Sequence, residues 1–315
     1  MIFTDLLSDI FVKNSTFMED SVFDSKCVWH VCTPGENQCV LFRDSDDFRC
    51  GMNIVGVAAL VFKESVEILT FELMSNHVHF VLHGDRDDVE KFFDYFYRRL
   101  RRLFIRQERL SDLKGFAASY HLVDTESYLR NLIAYVNRNG YVVNVNETPF
   151  SYMWGANRYI FNEATSLEGK YFVNDMPKKK RDEFFHIKDI CFPDSYHLVD
   201  GYISPVCYCK ILECEALYKN AHHYFSLISR NVESFKDIAQ IAGDSIIYSD
   251  EEMFYASIHF ARKNFEKQKI TLLDRNEKIE LAKHLHFNYN ASNKQISRLL
   301  KMEDSIVRAL FPKAR

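Results

Sequence analysis

His77 and His79, in the run Asn76-His77-Val78-His79-Phe80-Val81-Leu82, are the residues whose type and spacing best suit a metal. In an extended strand alternate side chains share a face, so both imidazoles point one way while Val78, Phe80 and Leu82 point the other. Two imidazoles side by side on a rigid strand, completed by oxygen donors, suit a divalent cation such as Mn²⁺ or Mg²⁺. Further on, Tyr128, Leu132, Tyr135 and Asn139 succeed one another at spacings of four, three and four, which places them on one face of a helix. Tyr135 and Asn139, a phenol and an amide one turn apart, supply a nucleophile and a third metal ligand. The phenol would attack a phosphate that the metal polarises. Tyr128 shares this face but has Leu132, not an amide, four residues on. The expected nucleophile is therefore Tyr135.

The elements that must position these groups are legible around them. Residues 27–33 predict a strand closed by the turn at Pro34-Gly35-Glu36-Asn37. A helix follows from Asp44 or Ser45, with Phe48, Met52, Val55 and Ala59 at helical spacing. Val66–Leu73 and His77–His83, separated by Met74-Ser75-Asn76, predict a hairpin. A long helix over Asp88–Arg109 comes next, then a strand over Phe116–Val123 and a helix from Thr125 to Asn139, stopped by Gly140. This order predicts an α+β, ferredoxin-like antiparallel sheet with helices on one face and one further helix appended. Residues 1–160 form that unit, 161–270 a mixed and mainly helical region, and 271–315 a helical unit.

The string ELMSNHVHFVL resembles the HUH motif of single-tyrosine transposases that act on single-stranded DNA. AYVNRNGYVVN is similar to the tyrosine helix of their REP-associated branch, and Tyr152-Met153-Trp154 to an aromatic element that follows it. Each motif alone is weak; their order and spacing together are specific. The resemblance implies a metal at His77, His79 and Asn139 and a covalent 5′-phosphotyrosine on Tyr135. Such an enzyme nicks and rejoins single-stranded DNA, often beside a hairpin. Gly140 departs from the proline usual in the branch at this point.

The remaining features bear on partners. The formal net charge of −4 argues mildly against nucleic acid, but its distribution is uneven. On the helix Asp88–Arg109, Tyr95, Arg99, Arg102 and Arg106 share a face that suits a nucleic-acid backbone with bases stacked on a ring. At the C-terminus, Ser292-Asn293-Lys294-Gln295 reads as a capping box opening one helix, and Ser305–Phe311 as another. That spacing suggests a helix-turn-helix whose last helix, with Ser305 and Arg308, enters duplex DNA. Eight scattered cysteines and a polar N-terminus predict a cytoplasmic protein with reduced thiols and no membrane partner, as monomer or homodimer. Two other readings stand beside the transposase: a replication-initiator or relaxase-like nuclease, and a DNA-binding regulator that has lost cleavage.

Overall fold

The computed structural model describes residues 27–35, 39–142, 148, 150–167, 169–229, 234–244, 248, 250–289 and 291–312. The N-terminal stretch and the Glu36-Asn37 half of the expected turn lie outside them. Strand β1 (Val28–Cys32) leads to helix α1 (Ser45–Val61), which starts where the Asp44 carboxylate accepts the amides of Asp46 and Asp47. The hairpin β2 (Val66–Leu73) and β3 (Val78–Gly84) follows, then α2 (Arg86–Arg106), β4 (Ser119–Leu122) and α3 (Glu126–Val142). The sheet runs in the order β2-β3-β1-β4, with every neighbouring pair antiparallel. No helix among the described residues is long and apolar enough to cross a membrane.

Strand alternation sorts the sheet's two faces. Val31, Phe71, Leu73, Val78, Phe80 and Leu82 pack with α1 and α2. Phe80 sits at the centre of that layer, its ring 5.3 Å from Phe96 and 5.7 Å from Phe92. The opposite face carries Val28, Leu69 and Val81, which pack against Leu132, Ile133 and Val136 of α3. An irregularity between Ile68 and Thr70 in β2 lets both Leu69 and Thr70 reach α3. The sheet is therefore covered on both faces, not one. A strand alternating apolar and polar reads as half-exposed from sequence, yet here its polar side chains are roofed by a helix.

The rest of the chain adds to both layers. The small sheet β5 (Tyr171–Phe172), β6 (His197–Val199) and β7 (Tyr202–Ile203), with α4 (Lys178–Phe185), packs on Val57 and Leu60 of α1. Helices α5 (Ile211–Ala216), α6 (Ala221–Ile228) and α7 (Ser234–Ala242) join the α3 core through Cys214, Tyr224 and Phe235. Helices α8 (Asp250–Phe265), α9 (Arg275–Tyr289), α10 (Asn293–Leu300) and α11 (Asp304–Leu310) share a separate core. The capping box at Ser292 and Gln295 is present.

Helix α3 does not stop at Gly140 but runs to Val142. The glycine has a packing reason instead: a Cβ there would lie 2.2 Å from both Glu72 Oε1 and the Tyr152 ring. Its bare backbone also donates to Glu72 Oε2 at 3.1 Å. At an unhindered helical position Gly→Ala is worth about 1 kcal/mol of stability. Here we expect Gly140→Ala to cost about 1–3 kcal/mol through overpacking. A urea melt checks this; a variant as stable as the parent would contradict the close seating of α3 on β2.

Candidate active site

His77 closes the turn before β3 and His79 is its second residue, so both imidazoles leave the sheet on the α3 side. Neither is exposed: His77 retains 7% of its surface and His79 none. Their rings meet edge-on with centroids 4.9 Å apart. Asn76 Oδ1 lies 2.8 Å from His77 Nδ1, while the Asn76 amide donates to Gly35 O at 2.7 Å. Behind His79, His30 of β1 places Nε2 3.1 Å from His79 Nδ1. Burial, reinforced by the neighbouring His79 and His121, pushes His30 well below the ordinary imidazole value and keeps it neutral. Nδ1 of the His77 and His79 rings is thus held by a polar partner, which fixes how Nε2 can present a lone pair.

The group facing both rings was not expected from the sequence. Asp244 follows the left-handed Gly243 at the end of α7, and its Oδ2 lies 3.1 Å from His79 Nε2. Its Oδ1 lies 3.9 Å from His77 Nε2 and accepts the Gly35 amide at 3.2 Å. Burial alone would raise this carboxyl, but His79, His77 and the Tyr135 hydroxyl more than reverse that and hold it at about 2. His77 is lowered to about 4, first by burial and then by His79, against the pull of Asp244. At neutral pH the cluster therefore offers a neutral imidazole and a carboxylate. One donor atom from each of His77, His79 and Asp244 falls within 4.8 Å of the others, close enough to share one cation. His79 Nε2 is buried and, although near Asp244, lies off the line of a hydrogen bond. A lone pair aimed at a shared cation suits that arrangement, and the N/O donor set fits Mn²⁺ or Mg²⁺. His30 and Cys32 make a second group with His79, but burial and the Asp244 charge push the Cys32 thiol up, so it is a poor ligand.

Tyr135 reaches this cluster from α3. Its hydroxyl donates to Asp244 Oδ2 at 3.1 Å, and its ring stands edge-on to His79 with centroids 5.9 Å apart. Burial, then the Asp244 charge, raise the phenol well above its ordinary value, opposed by a hydrogen bond from the Asn139 side chain. Asn139 thus sits beside the nucleophile candidate, and the acidic donor beside the histidines is Asp244. Tyr128, also on α3, is only partly buried and packs in the same core. Glu72 is the direct strand partner of His79 and is fully buried, with one oxygen bonded to Gly140 and the other unpartnered. Burial pushes its carboxyl well up, opposed by the Gly140 amide, one strand away from the cluster.

The expected DNA-binding residues are placed elsewhere. Tyr95, Arg99, Arg102 and Arg106 lie on α2, which packs on the face of Val78 and Phe80, so the sheet separates them from His77 and His79. Arg99 is half-buried and donates to Phe185 O and Tyr95. Ser305 and Arg308 are exposed on α11. Arg308 is already paired with Asp304 at 2.6 Å, and Glu303 and Asp304 make the start of that helix acidic. Comparison with protein-family models, with curated proteins and with solved structures gives no match.

The His77 shift predicts how the metal-free fold responds to acid. Its value falls on folding from 6.5 to about 4, so the unfolded chain binds protons that the folded chain does not. The stability that goes with this is present above about pH 6.5 and is lost as pH falls towards 4. Asp244, lowered on folding from 3.8 to about 2, has its window below that of His77. Between pH 7 and 5 we expect His77 to account for about 2 kcal/mol of lost stability. Melting of the parent and His77→Gln at both pH values checks this: the variant should lose less between them.

Proposed function

We propose that this chain is a metal-dependent nuclease and strand transferase on single-stranded DNA, of the HUH single-tyrosine type, with Tyr135 as nucleophile. One observation carries the reading. The Tyr135 hydroxyl and the two imidazoles address the same buried carboxylate, Asp244, within hydrogen-bond or metal-ligand reach. A packed aromatic has no need of this company, whereas a phenol that must attack a phosphate does. The antiparallel strand order β2-β3-β1-β4 and the packing of the tyrosine helix over the histidine face support this reading.

In this reading His77, His79 and Asp244 would hold Mn²⁺ or Mg²⁺, with Asn139 beside Tyr135. The bound cation would neutralise charge on the scissile phosphate. Tyr135 Oη attacks phosphorus, forming a phenol–phosphate ester on the 5′ side while the 3′ oxygen leaves with a proton as a hydroxyl. The reverse step rejoins strands with no external energy source. Asn139 steadies the phenolic oxygen from one turn away, and His30 holds His79 from behind. Tyr135 is only 3% exposed, packed against Phe235 and bonded to Asp244, so the closed arrangement does not present its hydroxyl to DNA. The same closure is what favours the second reading, a DNA-binding regulator without cleavage.

Labelled single-stranded oligonucleotides with Mn²⁺ separate these readings. The parent should give a covalent protein–DNA adduct mapping to Tyr135, and Tyr135→Phe none, while Tyr128→Phe keeps it. An adduct on Tyr128, or none from the parent under any divalent metal, would sink the assignment. Asp244→Asn should weaken Mn²⁺ binding by calorimetry about tenfold or more, since one anionic donor becomes neutral. Unchanged affinity would remove Asp244 from the ligand set.

A further inference from the structure

On the far side of the sheet, α1, α2 and the end of α4 enclose a groove of about 360 Å³. That lies within the roughly 300–1,000 Å³ usual for small-ligand pockets. Its lining is of two kinds. Ile54, Leu103 and Phe185 are buried apolar residues, and Phe184, still 40% exposed, stands perpendicular to Phe185 at 4.9 Å. The rim is basic. His186, held in a left-handed conformation at φ 52°, turns the chain back along that rim after α4.

The charges of the rim are unequally satisfied. Arg49 pairs with Asp46 and donates to Asp200 O, and Arg99 donates to Phe185 O. The side chains of Arg102 and Arg106, one turn apart and exposed, have neither an ion pair nor a hydrogen bond with any described residue. They also add to the positive field on their neighbours. Arg99 is lowered first by burial and then by these two, and His186 by burial, Arg106 and Arg99. Like charges crowded on a half-closed rim are relieved by an anion, and guanidinium forks match phosphate oxygens. The apolar floor and the open Phe184 face call for a flat, largely apolar body joined to that anion.

We infer that this groove binds a nucleoside phosphate unit, with the base on Phe184 and Leu103 and the phosphate on Arg102 and Arg106. The unit is either a free nucleotide or one residue of a strand. The inference is independent of cleavage at Tyr135, since the groove opens on the other side of the sheet, and either can fail alone.

Calorimetry on the full chain tests it with thymidine 5′-monophosphate, thymidine, inorganic phosphate and a short oligothymidylate. The monophosphate should bind at least about tenfold more tightly than thymidine or phosphate. The double variant Arg102→Ala/Arg106→Ala and the single variant Phe184→Ala should each weaken it about tenfold or more. The two arginines are exposed, so the melting curve of their double variant should not change, and full retention of fold in Phe184→Ala is checked by circular dichroism. If only the oligothymidylate binds, with the same sensitivity to both variants, the unit is recognised within a strand. Inorganic phosphate binding as tightly as the monophosphate would overturn the base site. Binding by neither nucleotide nor oligonucleotide, or binding untouched by the variants, would overturn the whole inference.

Discussion

The fold depends on how polar side chains are buried between the sheet and α3. His30, Thr70, Glu72 and His79 all project from the strands with no exposure, and each would cost several kcal/mol if left unpaired. Helix α3 answers Thr70 and one oxygen of Glu72, while Glu72 Oε1 and His79 Nε2 keep no hydrogen bond. Thr70 Oγ1 donates to Asn137 Oδ1 at 2.6 Å, and the Asn137 amide donates to the Tyr224 hydroxyl at 3.0 Å. That hydroxyl donates to Asn157 Oδ1, and the Asn157 amide returns to Asn137 O at 2.8 Å. The chain closes on itself around one side chain of α3, so the helix has one register on the sheet. Tyr135, half a turn before Asn137, inherits its position from this network.

A second lock holds the C-terminal part of α3. Arg138 is almost wholly buried, donating to Ile228 O at 3.0 Å and pairing with Glu252 of α8. Breaking a buried pair from one side costs about 3–5 kcal/mol, because the remaining charge is stranded. The helix that carries Tyr135 is thus fixed by β2, by α6 and by α8, elements far apart in sequence. Its placement is a property of the whole chain.

This explains what the sequence made legible and what it did not. The histidine pair, the facing of Val78, Phe80 and Leu82, and the apolar stripe of α2 follow from periods of two and 3.6, which are local. The helix and strand order over residues 28–142 follows from the same signals with boundary errors of a few residues. Asp244 was invisible because nothing local marks it: it lies 109 residues beyond Tyr135 and reaches the site only through the packing of Phe235, Ile238 and Ala239. Gly243 at a left-handed φ of 70° is the sole nearby signal, and it marks a helix end, not a ligand. Gly140 misled for the opposite reason. A glycine late in a helix usually ends it, whereas here the missing side chain makes room for Glu72 and Tyr152. On α2, Arg102 and Arg106 are exposed, but Tyr95 packs on the core and Arg99 is half-buried, and sequence cannot say on which side of a sheet a helix will lie.

The energetics of the buried cluster finally bear on what Asp244 does. Its carboxyl is held at about 2 while the Tyr135 phenol is raised well above its ordinary value. A hydrogen bond joins them, yet they are too unequal in acidity for the proton to pass from phenol to carboxylate and stay there. In the closed arrangement Asp244 therefore positions Tyr135 but does not activate it. Its acidity is set by the same imidazoles that would share a cation with it, and a cation there would make it a weaker base still. On the proposed function the carboxylate would serve as a ligand and an orienting group, and the phenol proton would leave by another route. That division of labour also accounts for the closure of the site. A phenol kept protonated and packed against Phe235 and Asp244 is held and shielded by the same contacts, so positioning and restraint come from one cluster.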